Sequence, residues 1–437
     1  MIDRRKSVEM FSSVAAHGDV VELRLAGHRL WLVSDPTLAR EIFVDRAKSV
    51  GKGVGIRLIR RLLGDGLLTN EDPVSHRRNR RLINPAFTAP QLRQYSEVMV
   101  AAAHRASDRW HPGAVVEITD EMQRIALDIV GRTLLGDETE KDAKAVMDSV
   151  DMVVKRFAVG LIPGAMRLLD TNLPGVKPVK RAMAAMTGTV ERIVREHRAD
   201  PTKTDDMVAS LLAASEDGES LSDDQVRDET LTLMLAGFET TAVALSWTWW
   251  LLDQNPDIAA RLREEIEAVL GDDRATYDDL PRLPYAMSVI AETMRLRPPA
   301  WIIEREAKEA FDLGGYTTAP GLALLVSPLI LQRDPRSWGD DAEVYRPERW
   351  LNAEGSFDHS APGQPKGAYM PFGAGSRICI GESFAWAEAV LVLVTLARRW
   401  APATVPGQVF GTWAAVTLRP NPGIRMRLAT VKVPASA

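Results

Sequence analysis

The chain has 437 residues, of which 46% are apolar and 26% charged, with a formal net charge of -5. It is long enough to bury one large core or two ordinary ones, and its composition has neither a disordered nor a fibrous bias. The acidic balance excludes a general nucleic-acid binder, because neutralising phosphates needs a basic surplus.

From the N-terminus, residues 1–9 carry charge with no apolar run behind them. Neither a signal peptide nor a membrane anchor is expected, which points to a cytoplasmic protein. No repeat, low-complexity tract or Gly/Ser-rich linker divides the sequence, so we expect one domain over 1–437. Strands are expected at 21–25 and 30–33, flanking the turn Ala26-Gly27-His28-Arg29, and Asp35-Pro36 then opens a helix. The clearest helix begins at Ser222, whose hydroxyl can cap the first turn while Gln225 reaches back, with Leu221 and Val226 placed as a hydrophobic staple. It runs to Asn255-Pro256, about 30 residues or roughly 45 Å. A helix of that length needs a reason, and crossing a large cofactor is one. Residues 231–252 could mimic a membrane span, but Glu239 beside Thr240 and Thr241 argues for a buried core helix. Asn255 is expected to cap the next helix, with Pro256 in its first turn. A helix over 284–296 follows, ended by Pro298-Pro299, then a strand pair within 307–326 with Gly314-Gly315 and Pro320-Gly321 as turns. The last helix is the apolar stretch 383–397.

Cys379 is the only cysteine in the sequence. It can make neither an internal disulfide nor a multi-cysteine zinc site, so it is either buried filler or a thiolate with chemistry to do. Its surroundings favour chemistry. Gly373, Gly375 and Gly381 remove side chains where a backbone must lie close to something flat, and Arg377 brings a fixed positive charge. Amide dipoles at the start of the following helix stabilise a thiolate. The segment Phe372-x-x-Gly375-x-Arg377-x-Cys379-x-Gly381 resembles the haem-ligand loop of the cytochrome P-450 monooxygenases.

That resemblance implies a mainly α fold with small β-sheets and a long central helix crossing a haem. It makes Cys379 the iron ligand of haem b, with Phe372 in the same cofactor-binding loop. Haem propionates need fixed cations, and arginine suits paired carboxylate oxygens. The resemblance assigns that role to His76 and Arg80, which stand four apart on one helical face, to Arg305 and to Arg377. Many family members carry tryptophan where His76 stands. Arg77, Arg78 and Arg81 read as a solvated basic face. Within the central helix, Ala236-Gly237-Phe238-Glu239-Thr240-Thr241 resembles the oxygen-activating segment. Gly237 costs a helix interior about 1 kcal/mol relative to alanine, and making room for oxygen and substrate would explain it. Thr240 can turn its hydroxyl to the Ala236 carbonyl and loosen the ladder for water. By resemblance, Glu239 and Thr240 relay protons to dioxygen. Glu292 and Arg295 share a helical face, and Tyr345-Arg346-Pro347-Glu348-Arg349-Trp350 resembles the segment whose arginine joins them, with Trp350 where phenylalanine is usual. We read Glu292, Arg295 and Arg349 as a network that holds the cysteine loop.

Resemblance puts the substrate chamber's walls in the loop before His76, around Leu161-Ile162-Pro163-Gly164, at 299–303 and at Trp413-Ala414-Ala415-Val416. These are mostly apolar, which suits a lipophile such as a terpenoid, steroid or fatty acyl chain. The expected activity is a monooxygenase, and the protein is expected to be a monomer. One cysteine cannot hold an iron–sulfur cluster, so NAD(P)H is expected to act only indirectly, through a ferredoxin or flavodoxin with its reductase. By resemblance the donor docks on the cysteine side, where Arg377 and Lys366 lie. The rivals are a haem-thiolate isomerase, dehydratase or peroxide-driven oxygenase, against which Glu239 and Thr240 argue, and a haem-based sensor without turnover. A cysteine hydrolase fails for want of a histidine to pair with Cys379.

Overall fold

The computed structural model describes residues 6–25, 27–136, 149, 176–200, 205–216, 218–360, 363 and 365–431. The expected chamber segment Leu161-Ile162-Pro163-Gly164 and the turn residue Ala26 lie outside them.

Helices dominate, and the central one, Asp223–Gln254, organises the rest. It starts at a complete capping box: Gln225 N donates to the Ser222 hydroxyl at 3.2 Å, and Ser222 N to Gln225 Oε1 at 3.0 Å. Asp223 and Asp224 in the first turn suit the positive end of the helix dipole. Leu221 and Val226 are both buried, as a hydrophobic staple requires. At the far end Asn255 donates its side-chain amide to the Leu251 carbonyl at 2.8 Å, so it closes the central helix instead of capping the Pro256–Leu270 helix that follows. Apolar side chains bury nearly every face of the helix, which is how a helix inside a large core reads. It packs on Ile118–Leu135, Lys177–Ala199, Pro284–Leu296 and Glu382–Ala397. Among the described residues no helix is long and apolar enough to cross a membrane.

One five-stranded sheet flanks the helices, in the order Val20–Leu25, His28–Val33, Ala323–Val326, Ile303–Ala307, Val50–Lys52. The first pair forms as expected. The pair sought within 307–326 resolves into two nested features. Ile303–Ala307 runs antiparallel to Ala323–Val326, and between them Asp312–Leu313 and Tyr316–Thr317 make a small hairpin. Its turn needs positive φ at both central residues, which Gly314 and Gly315 supply at 60° and 85°. Register sets Lys52 opposite Arg305 on the two neighbouring strands. A separate C-terminal hairpin, Gly411–Ala414 with Leu418–Asn421, lies against the central helix.

Candidate functional site

Cys379 sits in a tight loop, where its backbone N–H donates to the Phe372 carbonyl at 3.0 Å and Ile378 N to Gly375 O at 3.1 Å. Gly373 and Gly375 have φ of 76° and 71°, a region that other L-residues rarely adopt. At Gly375 a side chain would also strike the Phe43 carbonyl, so this glycine is required by a backbone neighbour and not by a flat ligand. A Cβ on Gly381 would meet only Phe87 and the Cys379 sulfur, at ordinary contact distances. The thiol is accessible to solvent. Yet burial pushes it up, and the Gly381 amide and the Arg80 charge pull it back only in part. A side chain that opens onto an internal cleft has both properties. The expected stabilisation of the thiolate by the helix start is therefore outweighed, in the free protein, by burial.

The central helix presents an open stripe in its otherwise buried middle. Leu233, Gly237 and Thr240 are part-exposed and Ala236 is exposed, at the i, i+3, i+4, i+7 spacing of one helical face. Thr240 donates its hydroxyl to the Ala236 carbonyl at 2.8 Å, as expected. Gly237 has a further reason beside the one expected: a Cβ there would lie 3.2 Å from a Val130 methyl on the Ile118–Leu135 helix, a tight contact that alanine would have to push aside. Glu239, the neighbour of Thr240, is buried and turned to the C-terminal hairpin. There Arg419 Nε meets its Oε1 at 2.6 Å and the Thr417 hydroxyl donates to the same oxygen.

Cations from four separate segments face one another beside the cysteine loop. His76 and Arg80 come from the Pro73–Ile83 helix, whose Asp72 cap accepts from Ser75 N at 2.8 Å. Arg305 comes from the sheet, Arg377 from the loop and Lys52 from the edge strand. Arg80 donates to Ile378 O at 2.6 Å, tying its helix to the cysteine loop. Arg377 donates to Asn70 O at 2.9 Å and Arg305 to Glu304 O at 3.0 Å. These three guanidiniums find backbone carbonyls, and among the described residues no ion pair forms with any of them or with Lys52, although the charge of Glu71 reaches Lys52 and Arg377. Their mutual repulsion is plain. Arg305 is pushed down to about 10, by burial and then by Arg377. Lys52 falls well below the ordinary lysine value, by burial and then by Arg305 and Arg377. His76 is lowered to about 3, by burial and then by Arg377, Lys52, Arg80 and Arg305. His76 is thus neutral at pH 7 in the free protein and offers a hydrogen bond where a cation was expected. An accessible thiol, an open helix stripe and partly buried cations that form no ion pair among the described residues fit a flat group that carries a metal and two carboxylates, which is haem. Sequence reasoning missed Lys52. Its place between Gly51 and Gly53 reads as a turn, and only the register with Arg305 reveals it.

Behind the loop, Glu292 and Arg295 form a fully buried bidentate pair with both contacts at 2.8 Å. Arg349 Nε joins at 3.1 Å, Arg346 N at 3.0 Å and Trp350 Nε1 at 3.0 Å, so the indole at this position gives Glu292 a donor that phenylalanine would lack. Arg295 also holds the carbonyls of Gln332 and Ala342, and Gln332 Oε1 accepts from Met370 N at 3.0 Å. The network therefore reaches the chain that enters the cysteine loop.

Other expectations change. Arg78 is not merely solvated, because it bonds Glu219 at 2.7 Å and Ser220 O at 2.9 Å. Arg377 turns inward to the cation cluster, which leaves Lys366, exposed beside a groove of about 460 Å³, as the cation of the expected docking face. Trp301 is buried in the core, stacked edge-on with Phe11 and bonded to Ala415 O at 3.0 Å. It joins two of the expected chamber walls without facing a chamber itself.

The cytochrome P450 family model matches residues 3–423. Among curated relatives, cyclooctatin synthase of Streptomyces melanosporofaciens is 33% identical over 98% of this chain and 91% of its own. Pentalenene oxygenase of Streptomyces avermitilis is 35% identical over 98% and 94%. Cyclooctat-9-en-7-ol 5-monooxygenase of Streptomyces melanosporofaciens is 34% identical over 92% and 86%. With the thiol, the open helix stripe and the cation cluster in place, these matches identify the chain as a member of the cytochrome P450 family of monooxygenases.

Proposed function

We propose that this enzyme oxygenates a polycyclic terpenoid, using electrons from a separate ferredoxin or flavodoxin and its reductase. The apolar part of the central helix's open stripe, Leu233, Ala236 and Gly237, carries this reading, because none of these three side chains would anchor a polar or charged substrate. The oxygenation of pentalenene and of cyclooctat-9-en-7-ol by relatives supports the substrate class. When bound, haem supplies dioxygen binding and, with electron push from a thiolate, O–O cleavage and insertion of one oxygen atom into the substrate.

This chain's residues do the rest. Cys379 provides the thiolate, and Arg80, Arg305, Arg377 and Lys52 hold the propionates, with His76 as a hydrogen-bond donor. Thr240 spends its proton on the Ala236 carbonyl, so its oxygen is free to accept from a water and orient it. Glu239 is the acid that recharges that water. The test of the ligand is the reduced carbonyl complex, which should absorb at the red-shifted position of thiolate-bound haem and lose that band in Cys379→Ala. The test of the class is a shift of the haem band on adding pentalenene or cyclic diterpene alcohols. A shift with fatty acids alone would reject the terpenoid reading.

A further inference from the structure

We infer that Arg419, with Thr417 beside it, is a positioning residue for proton delivery: from the C-terminal hairpin it holds Glu239 by Oε1 and leaves Oε2 to exchange protons with water. The inference rests on the proposed relay through Glu239 and Thr240. Glu239 is only 4% exposed, and a carboxylate so buried needs partners. Both of its partners take the same oxygen, the Thr417 hydroxyl and Arg419 Nε at 2.6 Å. Among the described residues Oε2 has none. A purely structural ion pair would use the bidentate fork that Arg295 gives Glu292, with two parallel contacts at 2.8 Å. Arg419 instead offers one nitrogen and, among the described residues, makes no other ion pair.

The hairpin gives this contact a fixed base. At the start of the strand Leu418 is fully buried and Arg419 takes the opposite face, with Thr417 immediately before the strand also reaching Glu239. Leu418 N donates to Pro299 O at 3.0 Å, and Trp247 Nε1 on the central helix donates to Leu418 O at 2.8 Å. Thr417 and Arg419 therefore cannot drift along the helix. The Arg419 side chain is 24% exposed while that of Glu239 is 5%, so the arginine spans from the buried acid to solvent. Water that reaches Oε2 along this side chain meets the acid at its unpartnered oxygen, next to the turn that carries Thr240.

The experiment uses haem-loaded enzyme with a surrogate ferredoxin and reductase, without substrate, so that no ligand need be known. Dioxygen consumed with NADPH then leaves as peroxide or as water, and proton delivery decides the share. Arg419→Gln should oxidise NADPH about tenfold more slowly, a fraction of what general acid–base assistance supplies, with a larger peroxide share and a larger solvent deuterium effect. Arg419→Lys should recover most of this. Glu239→Gln should show the same signature, and the double variant should be no worse than either, because the two act as a unit. Thermal midpoints of the same four holoenzymes should show a matching non-additive cycle. If Glu239→Gln changes the peroxide share and Arg419→Gln does not, or if the two effects add in full, the role of Arg419 is wrong and the relay stands. If neither Glu239→Gln nor Thr240→Ala changes it, the relay falls and Arg419 with it. Should Arg419→Gln fail to retain haem, Thr417→Val and Arg419→Lys carry the test, and unchanged partition in both overturns the inference.

Discussion

At Lys52 an ammonium lies inside the protein opposite Arg305 in strand register, where the charges of Arg305 and Arg377 outweigh the attraction of Glu71. Like charges facing each other across a strand pair are destabilising, so without haem this residue works against the fold. With the propionates in place the same charge holds an anion. The two effects have opposite signs. Lys52→Met should raise the thermal midpoint of haem-free protein and speed haem loss to a scavenging apoprotein from the loaded one. Arg305→Ala should also speed haem loss, whereas Arg78→Ala should not, because Arg78 is committed to Glu219 and Ser220. Equal retention in Lys52→Met and wild type would remove Lys52 from the site. Neutral His76 belongs to the same balance. Its low proton affinity comes from burial first and then from cations, and an anion would offset only the second part.

Two helices carry buried acids that behave differently. Glu292 accepts from Arg295, Arg349, Arg346 and Trp350, a set that satisfies both carboxylate oxygens. Removing one partner of a buried pair costs about 3–5 kcal/mol, so Glu292→Ala should lose folded, haem-loaded protein. Trp350→Phe is the finer probe. It keeps a ring and deletes one donor to a charged group, worth about 1.5–3 kcal/mol, read as a lower urea midpoint at unchanged slope. Glu388, fully buried in the Glu382–Ala397 helix, has no hydrogen bond of normal geometry, and burial pushes it up to about 8 with the nearby Thr241 hydroxyl lowering it in part. Unfolding returns it to the ordinary 4.5. The folded chain thus keeps a proton that the unfolded chain releases, so this group's contribution is full below the unfolded value and is lost as pH rises through the folded one. Thermal midpoints taken between about pH 5 and pH 8 should fall less steeply in Glu388→Gln, which has the same shape and no proton to lose. An unchanged slope would mean that Glu388 is ionised in the fold.

For the whole molecule, what could be read in advance depended on how far apart the partners lie in the chain. The Ser222 cap, the Glu292–Arg295 pair and the cysteine loop are local patterns, four to ten residues long, and the structure forms each of them. The grip of Arg419 on Glu239 spans 180 residues, and the close approach of Gly375 to the Phe43 carbonyl joins a helical turn near the N-terminus to the cysteine loop, so neither leaves a periodic signal. Asn255 shows a third limit, since a cap residue between two helices can serve either. Electron supply is also a property of the whole surface. The net charge of -5 repels an acidic donor at long range, so the proposed docking depends on a local reversal of sign. The groove bordered by Arg40, His359 and Lys366 lies along the chain that enters the cysteine loop, and Arg40 is already paired with Asp45 at 2.9 Å. Lys366, exposed and outside any ion pair among the described residues, is then the main attraction. Lys366→Glu should raise the apparent KM for an acidic ferredoxin several-fold at low salt while leaving the haem spectrum unchanged. At about 1 M salt, where the screening length is about 3 Å, the difference from wild type should vanish. A KM that is unchanged at low salt would move the donor to another face.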